Sequence, residues 1–210
     1  MARKKRSPSG SKRKFSKRTP QQSQIPSWVW LAGGSIALVV LVVGLFYLGN
    51  QGPTIANSGI EGLVILPDPG QGHQEGEVNY HDEVPAGGTH SSAWLNCGIY
   101  DQPIQEENVV HSMEHGAVWL AYQPDLPTGQ VETLRNLVHQ ERSRRGQPLV
   151  VLAPKPQLDA PIVATAWRVQ LNLNDASDER LGQFLSRYQQ GPFTPEPGAP
   201  CFDGIGEPLG

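Results

Sequence analysis

From Trp28 to Leu48 the chain reads WVWLAGGSIALVVLVVGLFYL, 21 residues with neither a charge nor a proline. As a helix this run would extend about 31 Å, the thickness of a bilayer core, so it is predicted to cross a membrane once. Trp28 and Trp30 at one end, with Phe46 and Tyr47 at the other, match the aromatic anchors of the two interfaces. The run exceeds the ~7–15 apolar residues of a cleaved signal peptide. No cysteine stands just after it to carry a lipid.

The charges divide around this segment. Nine of the 17 Lys and Arg residues fall in the first 18 positions, whereas all 20 acidic residues lie from Glu61 onward beside the other eight basic ones, leaving that part at −12. The basic end stays cytoplasmic and the acidic part lies outside. Residues 1–27 therefore read as a disordered cationic arm near anionic lipid, and no nucleic-acid partner is expected. Residues 28–48 are the predicted span, 49–59 a linker, and 60–210 an extracytoplasmic domain with a Pro/Gly-rich tail.

Cys97 and Cys201 are the two cysteines of the chain. An oxidising compartment favours their pairing, which would tie down the tail GPFTPEPGAPCFDGIGEPLG. The rival role for Cys97 is a thiolate metal ligand.

Within the domain, Gly62 to Leu66, Val109 to Val110, Ala117 to Tyr122, Leu149 to Leu152 and Ile162 to Trp167 read as strands. The run at 117–122 is apolar on both faces, as in a buried central strand. A helix is predicted from Thr128 as cap to Gly146 as stop, with Leu134, Leu137 and Val138 on its apolar face. A second runs from about Asp178 to Gln190, with Leu181, Phe184, Leu185 and Tyr188 at helical spacing. The expected fold is a small α+β sandwich, a mixed or antiparallel sheet with two helices on one face, preceded by the transmembrane helix.

Five of the six histidines fall between positions 73 and 115. His111 and His115, four apart, share a face in either a strand or a helix. Met113 joins them only in a strand and Glu114 only in a helix, so local conformation selects the third group. Imidazole suits copper and zinc and thioether suits Cu(I), which makes His90, His111 and His115, with His73, Met113 and Glu114 as further candidates, a prospective transition-metal site. His81 is another upstream donor, whereas His139 reads as a helix-surface residue. H-x-x-E-H at 111–115 also has the form of an inverted zincin, with Glu114 as general base, but that motif needs a helix and Val109-Val110 reads as strand. A buried histidine network without metal accounts for the same residues.

VNYHDEVPAGGTHSSAW at 78–94, NCGIY at 96–100, VVHSMEHGAVWLAY at 109–122, ATAW at 164–167 and PEPGAPC at 195–201 together resemble the bacterial family termed domain of unknown function 3105. The resemblance covers roughly residues 63–206. It implies a membrane-anchored, extracytoplasmic protein of the bacterial plasma membrane and little about chemistry. Similar sequences carry a P-P-T-S-G-P-H-like segment where this chain has Gly87-Gly88, and more often Leu at position 113, which reads Met113 as a core side chain. The preferred function is metal binding, as copper handling or as an accessory to a membrane redox complex. The alternatives are an interaction or assembly protein with a structural histidine network, and then a zinc hydrolase.

Overall fold

The computed structural model describes residues 59–81 and 83–209, together with residue 26 and residues 38–43. Residues 1–55 and 56–210 are separate units. Residues 38–43 are helical with exposed side chains, and the rest of the predicted span at 28–48 lies outside the described residues, as do nearly all of the arm and linker. Among the described residues no helix is long and apolar enough to cross a membrane.

The second unit is α+β around a mixed six-stranded sheet. Its strands are β1 (Val64–Ile65), β4 (Gly98–Ile99), β5 (Val118–Tyr122), β6 (Val150–Pro154), β7 (Ile162–Ala166) and β8 (Val169–Leu173), in the spatial order β1-β8-β7-β5-β6-β4. β4 and β5 both run parallel to β6, whereas β7 is antiparallel to β5 and to β8. A separate parallel pair joins β2 (Gln71–His73) to β3 (Gly88–His90). The helices of this unit are α1 (Glu106–Glu114), α2 (Thr128–Arg145) and α3 (Glu179–Tyr188).

Alternation along the strands builds two cores. Val118, Leu120 and Tyr122 of β5 meet Leu134 and Val138 of α2 and Phe184 and Leu185 of α3. Trp119 and Ala121, pointing the other way, meet Val109, Val110 and Met113 of α1, Trp167 and the Cys97–Cys201 disulfide. Coverage of both faces explains why β5, β6 and β7 carry continuous apolar runs.

Two expectations are corrected. The two predicted helices, α2 and α3, do share one face, but a third helix, α1, covers the opposite one. Val109 and Val110 are helical, not a strand. Their β-branched shape lowers helix propensity only slightly, and full burial of both against the sheet outweighs it. The boundaries of α2 and α3 hold closely. Thr128 is the first helical residue of α2 rather than its cap, and Gly146 adopts φ 73° at the end. Asp178 caps α3 through the Arg180 backbone N–H and also accepts from the Arg180 guanidinium.

The disulfide joins residues 104 apart, with Cα atoms separated by 5.3 Å. Replacing both cysteines with serine is expected to cost about 4–5 kcal/mol, read as a lowered urea midpoint that reductant no longer shifts. Asp178 and Asp175 carboxyls are held below the usual range, the first by Arg180 and the second by Ser177. Their stabilisation is present above about pH 4 and is lost as pH falls through the folded-state values. Asp178→Ala is therefore expected to cost about 0.5–2 kcal/mol at neutral pH and much less in acid, measured by denaturation across pH.

Candidate metal centre

The C-terminal half of α1 supplies two of the site's side chains, and a glycine stop aims them. The Ala117 N–H donates to Ser112 O at 3.0 Å and the Gly116 N–H to Met113 O at 2.9 Å, the paired bonds of a Schellman motif. Gly116 sits at φ +94°, where a Cβ would meet the Gln190 side chain at 2.9 Å. Three residues consequently connect the helix to β5. His111 and Glu114, three apart, project from its buried face on the side opposite Val109, Val110 and Met113.

The β2–β3 ribbon supplies the other two. Parallel pairing places His73 opposite His90, and the rings meet edge to face with centroids 4.8 Å apart. His73 also stacks on His111 at 5.1 Å. One nitrogen from each of His73, His90 and His111 and one oxygen of Glu114 all lie within 4.8 Å of one another. The Nε2 atoms of His90, His73 and His111 stand 2.9, 3.8 and 3.9 Å from Glu114 Oε2. A tetrahedral site with Zn–N bonds of about 2.0–2.1 Å has ligand–ligand edges of about 3.3 Å, within the span of these separations. His90, His111 and Glu114 are buried, whereas the His73 side chain is 53 % exposed.

Hydrogen bonds to carbonyls set the ring orientations. His90 Nδ1 donates to Gly88 O at 2.7 Å and His111 Nδ1 to Ser91 O at 2.8 Å. A carbonyl can only accept, so Nδ1 carries the proton in both rings and Nε2 is the nitrogen that faces Glu114. Burial is the main influence on His111 and holds its pKa below the usual histidine value, favouring the neutral ring. Such outward anchoring of imidazoles is the arrangement that orients histidine ligands around metals.

The remaining sequence candidates lie elsewhere. His115 caps α1 beside His111, but its Nδ1 donates to Pro200 O at 2.7 Å and its Nε2 faces Glu196 at 3.6 Å. Met113 is fully buried in the core around α1, and Cys97 is in the disulfide. His81 is exposed with φ 56°, and His139 is exposed on α2. A helix does carry H-x-x-E-H, and the His111 and His115 rings meet edge to face with centroids 4.6 Å apart, yet His115 directs its nitrogens to Pro200 O and Glu196 and lies outside the cluster, so the inverted-zincin geometry is not formed.

Several contributors carry little sequence signal. Trp167 stands edge-on to His90 at 5.9 Å, and Trp94 packs on both His111 and His115. Gly88 and Ser91 act through their carbonyls. Gly87-Gly88 is legible in retrospect: both residues have positive φ, and a Cβ on Gly87 would lie 2.8 Å from Pro69 and 3.0 Å from Trp167.

The family described as protein of unknown function (DUF3105) matches residues 73–203, a segment that contains the whole cluster. The chain belongs to this DUF3105 family. Comparison with curated proteins and with solved structures finds no match. For this DUF3105 member, Gly87→Ala is expected to lower stability by more than about 1 kcal/mol and to perturb the Trp167 environment, checked by thermal melting and near-UV circular dichroism.

Proposed function

We propose that this domain binds one divalent transition-metal ion through the Nε2 atoms of His73, His90 and His111 and a carboxylate oxygen of Glu114. The observation that carries this reading is the convergence of acceptors. Two buried imidazoles spend their Nδ1 protons on carbonyls and turn Nε2 toward a buried carboxylate, so that with Nε2 deprotonated a cation between them would be held by converging acceptors. Three nitrogens and one oxygen, with no sulfur, suit Zn(II) or Cu(II) better than Cu(I). The predicted span and charge asymmetry support placing this domain on the outer face of the bacterial plasma membrane, with the basic arm beside anionic lipid on the inner face. There it would handle copper or zinc, or serve a membrane redox complex as an accessory subunit.

A second reading has its own observation. His90 has a protein partner at each ring nitrogen, Gly88 O and Glu114, so a buried His90–Glu114 ion pair could hold the loop without metal, as in an interaction or assembly protein. A zinc hydrolase ranks third, since Glu114 faces the imidazoles directly and is better placed as a ligand than as a base acting on a water.

Metal analysis separates these readings. The full-length chain, purified without a His-tag or chelators, is expected to hold about one Cu or Zn per molecule. His90→Ala/His111→Ala should lose the ion while retaining the disulfide and a cooperative melt. Metal retention should be level above about pH 7 and fall as the imidazoles protonate below about pH 6. A wild-type protein that stays metal-free after incubation with both ions leaves the histidine-network reading in its place.

A further inference from the structure

The N-terminal half of α1 carries a second feature, independent of the histidines. Glu107 lies four residues before His111 and seven before Glu114, on the same stripe of the helix, and is only 9 % exposed. Its neighbour Glu106 is ion-paired with Lys155. The Glu107 carboxylate has no hydrogen bond or ion pair among the described residues, although its backbone carbonyl accepts from the Ser91 N–H. It lines a cleft of about 550 Å³ with Glu77, Tyr80, Ile104, Glu106 and Lys155. That volume is within the range of small-molecule sites.

The Glu107 side chain is largely buried, its carboxylate lines the open cleft, and no protein cation among the described residues pairs with it there, so a cation from outside can answer it. The wall holds three carboxylates against one ammonium, and that ammonium is already engaged by Glu106. The Tyr80 hydroxyl is occupied as a donor to Thr89 O at 2.7 Å, leaving its ring face, Val78 and Ile104 as apolar wall. Carboxylates interleaved with apolar surface match a flexible organic cation better than a hydrated metal ion. Among the described residues no histidine lines the cleft, and its carboxylates do not form a group of converging ligand atoms of the kind His73, His90, His111 and Glu114 form.

We propose that this cleft binds an aliphatic di- or polyamine, with one ammonium on the Glu107 carboxylate, methylenes along Val78, Ile104 and the Tyr80 ring, and a second ammonium answered by Glu77. The site adjoins the metal centre through Ser91, whose N–H donates to the Glu107 carbonyl at 3.2 Å and whose carbonyl orients His111. Amine binding does not depend on the metal reading.

The test is calorimetric titration of the full-length chain with spermidine and 1,4-diaminobutane, using 1,4-butanediol and Mg²⁺ as controls. Saturable one-site binding of the amines is expected, with no binding of the diol. Glu107→Gln should weaken it about tenfold, equivalent to about 1.4 kcal/mol. Lys155→Gln, which removes the competing ammonium, should tighten it, and loss of folding would not produce opposite shifts in the two variants. His90→Ala/His111→Ala should bind the amine as wild type does, separating this outcome from failure of the metal site. Absence of saturation, an unchanged affinity in Glu107→Gln, or displacement of the amine by equimolar Mg²⁺ would overturn the proposal.

Discussion

The tight junction between α1 and β5 constrains the rest of the domain. Three residues, His115, Gly116 and Ala117, separate the last helical position, Glu114, from Val118, so the helix cannot rotate without dragging the central strand. Gln190 clamps the junction from the far end of the chain: its side chain donates to His115 O and its backbone N–H donates to Gly116 O. The tail adds a further tie where the Glu196 N–H donates to Glu114 O at 3.0 Å. Helix rotation determines which side chains enter the core and which enter the site. Val109, Val110 and Met113 are committed to the sheet, and His111 and Glu114 are thereby committed to the other side.

Burial then does most of the electrostatic work. A carboxylate in water beside three imidazoles would be unremarkable, but Glu114 is 4 % exposed and His90 has no exposed surface at all. Removing water strengthens every interaction within the cluster and raises the cost of any unmatched lone pair. The tryptophans maintain this condition, Trp167 against His90 and Trp94 against His111 and His115. Because their positions depend on glycine backbone and on the disulfide-bonded tail, long-range connections protect a cluster whose side chains come from the β2–β3 ribbon and α1.

Much of the fold was legible from residue pattern. The helices over Leu134–Val138 and Leu181–Tyr188 follow from apolar spacing, capping and glycine stops, and the central strands follow from runs apolar on both faces. The helix at Glu106–Glu114 was obscured because two adjacent valines mimic a strand, and its face periodicity is blurred by burial of nearly every residue. Glu106 and Glu107 in the first turn and Gly116 past the last were the available signals. Within the site, the histidines at 90 and 111 were marked by type and clustering, and Glu114 by the condition that its segment be helical. The inclusion of His73 depends on a parallel ribbon whose strands are three residues long, and the turning away of His115 depends on Pro200, 85 residues later. Neither long-range relation leaves a periodic trace.

The unequal exposure of the four clustered side chains has a kinetic consequence. Three belong to buried, tightly anchored segments, whereas His73 ends an exposed strand that pairs with β3 alone. For any ion held there, equilibrium affinity and exchange rate are set by different parts of the molecule. The helix and the β3 turn determine how deep the well is, and the outer strand determines how often its rim opens. Changes in the sequence around residues 71–73 would therefore act on the exposed side of any such site while leaving the core of the domain untouched.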